Sequence, residues 1–306
     1  MQEYHNVDWL RRFRKERDVP AALAELRREI FAGTREIVER GSYTTDKRTV
    51  FLPRERRGTV WHDDPPPLVP KDGPRTKFAI IEADCLQSAN LLIKTGMRPC
   101  VLSMANARTL KEDFLAGGDS QEEDLLRRTD LYVSLFQFAP QSVLPGDVRR
   151  REEYTGAHGE DGGFYSPGVS VFRSTERSGY SLLRVPYQVD IVSVSAIRDP
   201  VVECIDDTCF IAGSHIAHTK DRIRTILRIA GFHGHECLVL SALGCGHQRN
   251  PAAHIAELFR DVFMEEEFLN WFNLVVFAIL DIDHYSGNKY NPEGNFLPFH
   301  RTFQGI

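Results

Sequence analysis

Apolar residues along the chain follow two rhythms, one helical and one extended, in alternation. Between residues 8 and 40, Leu10, Phe13, Leu23, Leu26, Ile30, Ile37 and Val38 recur near helical spacing among many Arg and Glu. This predicts one or two amphipathic helices halted at Gly41. Residues 42–76 carry short β-like pieces such as 49–52, then DDPPPLVPKDGP, whose prolines predict an extended connector. Beyond it, apolar runs predict strands at 78–82, 99–104, 169–173, 188–195, from Cys237 onward, and at 274–280. Helical spacing fills the intervals at 86–94, at 121–136 with Leu125, Leu126, Leu131 and Leu135 turned inward, and at 215–231 with Ile216, Ile223, Ile226, Leu227 and Ala230 on one face. A further helix is expected with Asn250 as N-cap and Pro251 at its first position. Residues 139–167, rich in Gly, Glu and Arg, read as a long loop of the kind that forms lids or stays disordered.

Strands alternating with helices imply an α/β architecture with a mixed sheet of about six strands flanked by helices. The organisation expected is an N-terminal helical extension and connector over 1–76 and one domain over 77–306. A chain of 306 residues with 42% hydrophobic content is ample for a sizeable core. The net charge of −5 and pI of about 6.1 argue against a broad phosphate-gripping face, leaving room for a local basic pocket, so strong nucleic-acid binding is not expected. No run approaches the roughly 20 apolar residues of a membrane span, and no apolar core follows the N-terminal charges. The expectation is a soluble, intracellular monomer, cytoplasmic or nuclear. The six cysteines form no C-x-x-C pair and are expected as structural thiols, although Cys204 and Cys209 are near neighbours in sequence. His215, His218, His233 and His235 read as surface histidines without a third ligand at a known spacing, and no metal or other cofactor is expected.

Candidate chemistry gathers where strands end. Glu122 and Glu123 stand side by side at a helix N-terminus beyond the strand at 99–104, where α/β proteins place their reactive groups. The plainer reading of Glu123 is a capping box, Ser120-x-x-Glu123, which explains that residue but not Glu122 or Gln121. Asp84 follows the first strong strand and suits either an adenine amino group or a helix N-cap. Gly244, Cys245 and Gly246 lie between a strand and a helix, a place where inward backbone N–H groups and the helix N-terminus receive a pyrophosphate. Tyr165, at a loop mouth, either stacks on a base or ribose or seals the core.

Three blocks carry a family resemblance: Asn106 with Gln121-Glu122-Glu123, the string YSPGVSVFR, and the loop GCGHQRNP. They resemble the microbial-type poly(ADP-ribose) glycohydrolases, a branch of the macrodomain fold, over about residues 21–281. In place of that family's glycine triplet stand Lys111, Glu112 and Asp113, with Phe114 at the aromatic that follows. The resemblance implies a macrodomain-like three-layer α/β/α fold and an ADP-ribosyl glycohydrolase acting on ADP-ribose or an ADP-ribosylated macromolecule. It implies Glu123 as general acid/base and Glu122 on the ribose hydroxyls, where its like charge helps the pair keep a proton. Asn106 would orient the distal ribose. Gln121, Asp84, Phe114, Tyr165, Gly244, Cys245, Gly246 and Asn250 complete the expected substrate-binding set. The replaced triplet supports a second class, an ADP-ribose-binding module with little or no turnover.

Overall fold

The computed structural model describes residues 6–16, 18–53, 58–105, 117–138, 162–206, 208–281 and 287–306. The chain begins with α1 (Asn6–Glu16) and α2 (Pro20–Arg40), followed by the short strands β1 (Ser42–Thr45), β2 (Arg48–Phe51) and β3 (Val60–His62). Then come β4 (Lys77–Ile81), α3 (Cys85–Lys94), β5 (Pro99–Ala105), α4 (Gln121–Arg128) and α5 (Leu131–Phe136). The second half holds β6 (Gly163–Arg173), β7 (Leu182–Ser195), β8 (Val202–Ile205), β9 (Thr208–Ile211) and α6 (His215–Phe232). It ends with β10 (Cys237–Leu240), α7 (Ala252–Phe263), β11 (Leu274–Ala278) and α8 (Phe296–Phe303). The described residues divide between two compact units, one from those within 1–59, 108–157 and 166–189, the other from those within 60–107, 158–165 and 190–306.

In the first unit the apolar stripe read between 8 and 40 does its expected work. Leu26 and Ile30 of α2 bury with Tyr180, while Leu10 and Phe13 of α1 pack against them. Gly41 ends α2 in the left-handed conformation. The single helix expected over 121–136 is two helices. Thr129 leaves the α-region (φ −138°, ψ 175°) to form a β-bridge with Val171, and Asp130 Oδ1 accepts from Ser170 N at 2.8 Å. Apolar periodicity runs straight through this break, because the contact that causes it comes from β6.

The second unit is built on the sheet, whose strand order is β3-β6-β7-β5-β10-β11-β4. The pairs β7–β5, β5–β10, β10–β11 and β11–β4 are parallel, and β3 lies antiparallel to β6. Seven strands stand where about six were expected: residues 60–62, within the stretch of short β-like pieces before the connector, form an edge strand along β6. Alternate residues face opposite ways, as the two-residue period requires. Cys100, Leu102, Leu238, Leu240, Val275 and Phe277 join one core with α6, α7 and α8, while α3 contacts β5 and β10, whose Val101 and Val239 are also buried. Helices on both sides of a largely parallel sheet give the three-layer arrangement.

Two expectations about side chains change here. Cys204 and Cys209 are partners across the β8–β9 hairpin, 4.1 Å apart at Cα, and are joined as a disulfide rather than held as thiols. His235 is not a surface residue. It is fully buried, with Nε2 2.9 Å from the Tyr165 hydroxyl. Among the described residues no helix is long and apolar enough to cross a membrane, and no cluster of three or more metal-ligating side chains occurs.

Candidate active site

In the first unit, the two acids sit where the sequence places a helix start. Gly117 turns the chain at φ 80°, and a Cβ there would lie 2.1 Å from the Ala24 carbonyl oxygen, so only glycine fits. Ser120 is the N-cap of α4 and the capping box is complete: Glu123 Oε2 accepts from Ser120 N at 2.8 Å, and Ser120 Oγ accepts from Glu123 N at 3.4 Å. The Glu123 carboxylate rests on Gly118, whose ideal Cβ would be 2.5 Å from both of its oxygens. Glu122 and Glu123 are each only 5% exposed, and Gln121 beside them is half-buried. Three acids in the first turn and two arginines in the last complement the helix dipole.

A buried polar network fixes this helix from behind. Arg127 Nη1 donates to Gly118 O at 2.8 Å and its Nε to the Tyr180 hydroxyl at 2.9 Å, while that hydroxyl donates to Asp124 Oδ1 at 2.9 Å. Arg128 Nη1 pairs with Asp124 Oδ2 at 2.6 Å, one helical turn away. Burial works against the charge on Arg127, yet attraction from Tyr180, Asp124 and Glu176 outweighs it and leaves its pKa above the ordinary value. Burial pushes the Tyr180 phenol well up, so it acts as a neutral relay between the arginine and the aspartate.

In the second unit, register places several loops beyond the C-terminal ends of parallel strands. Asp84 follows β4, and the Gly244 turn follows β10, whose neighbours β11 and β5 run the same way. Asp84 caps α3, with Oδ1 accepting from Gln87 N at 2.9 Å, the plainer of its two readings. Gly244 has φ 72°, and a Cβ there would meet the Ala196 methyl and Asn250 Nδ2 at 2.5 Å. The turn closes through Cys245 N to Ala242 O, Arg249 N to Gly246 O and Asn250 N to Gly244 O, at 2.9–3.1 Å. Gly246 differs, since a Cβ there would meet nothing within 4 Å. Cys245 is fully buried and burial drives its thiol pKa far up, so it is no nucleophile.

Asn250 has another task than the expected cap. The helix begins one residue later than expected, with Pro251 at the cap position and Ala252 first. The Asn250 carboxamide instead donates to Ile197 O, Gly244 O and Gln248 O at 2.8–3.2 Å and braces the turn from within. Tyr165 is buried: its ring stacks on His233 at 3.6 Å, and its hydroxyl engages Asp190, His235 and Arg98. Of the two roles open to it, the structure shows the packing one. Asn106, Phe114 and the stretch Lys111-Glu112-Asp113 lie outside the described residues, as does most of the loop expected over 139–167. Asn288 and Asn291, which bind the Gly244 turn, were not anticipated. The sequence places Asn288, Asn291 and Asn295 close together, but nothing in that spacing points forty residues back.

The model of the microbial-type poly(ADP-ribose) glycohydrolase catalytic domain matches residues 32–174. Among solved structures, the Thermomonospora curvata poly(ADP-ribose) glycohydrolase is 30% identical with a TM-score of 0.70, the match covering 90% of this chain and 99% of that one. The same enzyme bound to the inhibitor ADP-HPD matches over the same shares at 29% identity and TM-score 0.67. The Deinococcus radiodurans enzyme in complex with ADP-ribose is 26% identical, with TM-score 0.56 over 76% of this chain and 85% of that one. No curated protein matches. With a relative at this identity matched along nearly its whole length, the chain belongs to the microbial-type poly(ADP-ribose) glycohydrolase family, a family of glycosidases.

Proposed function

We propose that this protein hydrolyses the O-glycosidic bond at the distal ribose of (poly)ADP-ribose, with Glu123 as general acid/base. The observation that carries this reading is the pair of adjacent, nearly buried carboxylates Glu122 and Glu123 on the first turn of α4, in a chain of this family. Cleavage passes through an oxocarbenium-like state, and the departing ribose hydroxyl must receive a proton. Glu123 delivers it and then takes a proton from the incoming water, so the acid is restored at the end of each cycle. Glu122 holds ribose hydroxyls, and Asn106 and Gln121 orient the sugar.

The diphosphate is assigned to the Gly244–Gly246 turn, where backbone donors and the N-terminus of α7 favour an anion. Asp84 is assigned to the adenine amino group and Phe114 to a stacking contact. The turn and Phe114 follow the family's motifs residue by residue, and Asp84 follows from its place past the end of a strand. No metal takes part in this scheme.

The deciding experiment measures ADP-ribose released from poly(ADP-ribose) and from mono-ADP-ribosylated protein. Wild-type protein is expected to release it, and Glu123→Gln to lose turnover by about 10²–10⁴-fold while still binding ADP-ribose by calorimetry. Tight binding by wild-type protein without release would make it a binding module instead.

A further inference from the structure

We infer that Asn288 and Asn291 are positioning residues that aim the Gly246 N–H at the diphosphate, an inference that rests on the role proposed above for the Gly244–Gly246 turn. Asn288 Nδ2 donates to Cys245 O and to Asn250 O, both at 2.9 Å. Asn291 Nδ2 donates to the same two carbonyls, at 2.9 and 3.1 Å. Both side chains are buried, and the two carbonyls they share bracket the turn.

Peptide geometry turns this clamp into a directional device. A trans peptide is planar, with its C=O and the following N–H pointing opposite ways. Holding Cys245 O against two carboxamides therefore sends the Gly246 N–H to the other side. No described residue accepts from that N–H, and the space at the Gly246 Cβ position is open. Asn291 also ties the turn to the helix that follows, since its Oδ1 accepts from Ala252 N, the first N–H of α7, at 2.8 Å.

The clamp is itself held. Asn295 Oδ1 accepts from Asn291 Nδ2 at 2.9 Å, and Asp281 Oδ2, just past β11, accepts from Asn295 N and Phe296 N. Gly294 lies close enough that a Cβ would strike the Asp281 carboxylate. A side chain that presents an NH₂ to two carbonyls is the requirement here. Leucine keeps the branched shape with two methyl groups in place of the carboxamide oxygen and nitrogen, is the larger of the two and has no donor, whereas aspartate would add a charge of its own near an anion.

The test uses full-length protein and the variants Asn288→Leu, Asn291→Leu and both together, with ADP-ribose and adenosine as probes in calorimetry and with turnover measured alongside. Each single variant is expected to weaken ADP-ribose binding about tenfold, the size of one lost hydrogen-bonded contact. Adenosine, which lacks the diphosphate, should bind as before, and KM should rise more than kcat falls. Unchanged ADP-ribose affinity in both single variants overturns the inference, as does an equal loss for adenosine, which would mark a general loosening. Should the double variant unfold, the singles decide, because each leaves the other carboxamide in place. Wild-type protein that binds no ADP-ribose would overturn the reading of the turn and this inference with it.

Discussion

Gly244 and Gly246 are two residues apart and chemically identical, yet their surroundings ask different things of them. Gly244→Ala places a methyl 2.5 Å from the Ala196 Cβ and from Asn250 Nδ2 in a left-handed conformation. It is expected to cost about 1–3 kcal/mol of stability and to lower the melting temperature. Gly246→Ala meets nothing within 4 Å and should melt within about 0.5 kcal/mol of wild type. If the turn holds the diphosphate as proposed, that methyl stands in the open space beside it, so ADP-ribose affinity should fall in calorimetry. A pair that fails in the opposite order would show that the turn is structural only. The turn was legible in the sequence because Gly-x-Gly between an apolar run and a helix is a local signal. The carboxamides of Asn288 and Asn291 were not, because chain folding brings them there from another segment. Asp84 was legible only as a choice, and its hydrogen bond to Gln87 N shows the capping half of that choice.

The element that presents the acids is short. An eight-residue helix is marginal on its own, so α4 depends on its cap and on the network beneath it. Ser120→Ala removes a weak cap bond of 3.4 Å and should cost about 0.5–1 kcal/mol. Tyr180→Phe deletes the hydroxyl that joins Arg127 to Asp124 inside the fold. It is expected to cost more, about 1–3 kcal/mol, because a buried guanidinium nitrogen and a carboxylate oxygen each lose a partner. Urea unfolding with an unchanged m-value checks both, and a larger cost for Ser120→Ala than for Tyr180→Phe would mean that the cap and not the network holds the helix. The sequence showed where this helix starts, since Ser-x-x-Glu is readable within four residues. It hid where the helix stops, since Thr129 leaves the helix to bridge Val171, a partner more than forty positions away. The same limit applies to β3, whose three residues are a strand only because β6 lies beside them.

For the molecule as a whole, three half-buried imidazoles set how stability responds to acid. Burial lowers the pKa of His233 to about 4, with His62, His235 and Arg98 adding to the effect and Asp190 opposing it. Burial also lowers His62 and His254. His62 and His233 face each other at 3.0 Å between their Nε2 atoms, and the His254 Nδ1 accepts from Ile211 N, so each contact uses a neutral ring. In the unfolded chain the same residues titrate near 6.5. Above that value neither state holds the extra protons, and the folded protein has its full stability. As pH falls from 6.5 towards about 4 the unfolded chain takes up protons that the folded one refuses, so unfolding becomes easier. Glu236 and Glu267, whose pKa values lie below the ordinary carboxylate value, extend the loss to still lower pH. In Glu236 the main cause is its hydrogen bond with Lys71. In Glu267 burial alone would raise the value, and the bonds from Arg228 and Leu68 N overcome it. The melting temperature should therefore begin to drop between pH 6.5 and 5, before ordinary carboxylates titrate. A His62→Gln, His233→Gln double variant, which cannot take up those protons in either state, should flatten that limb while leaving the carboxylate limb below pH 4.5 in place. A wild-type profile flat down to pH 4.5 would mean that these rings gain protons as easily folded as unfolded.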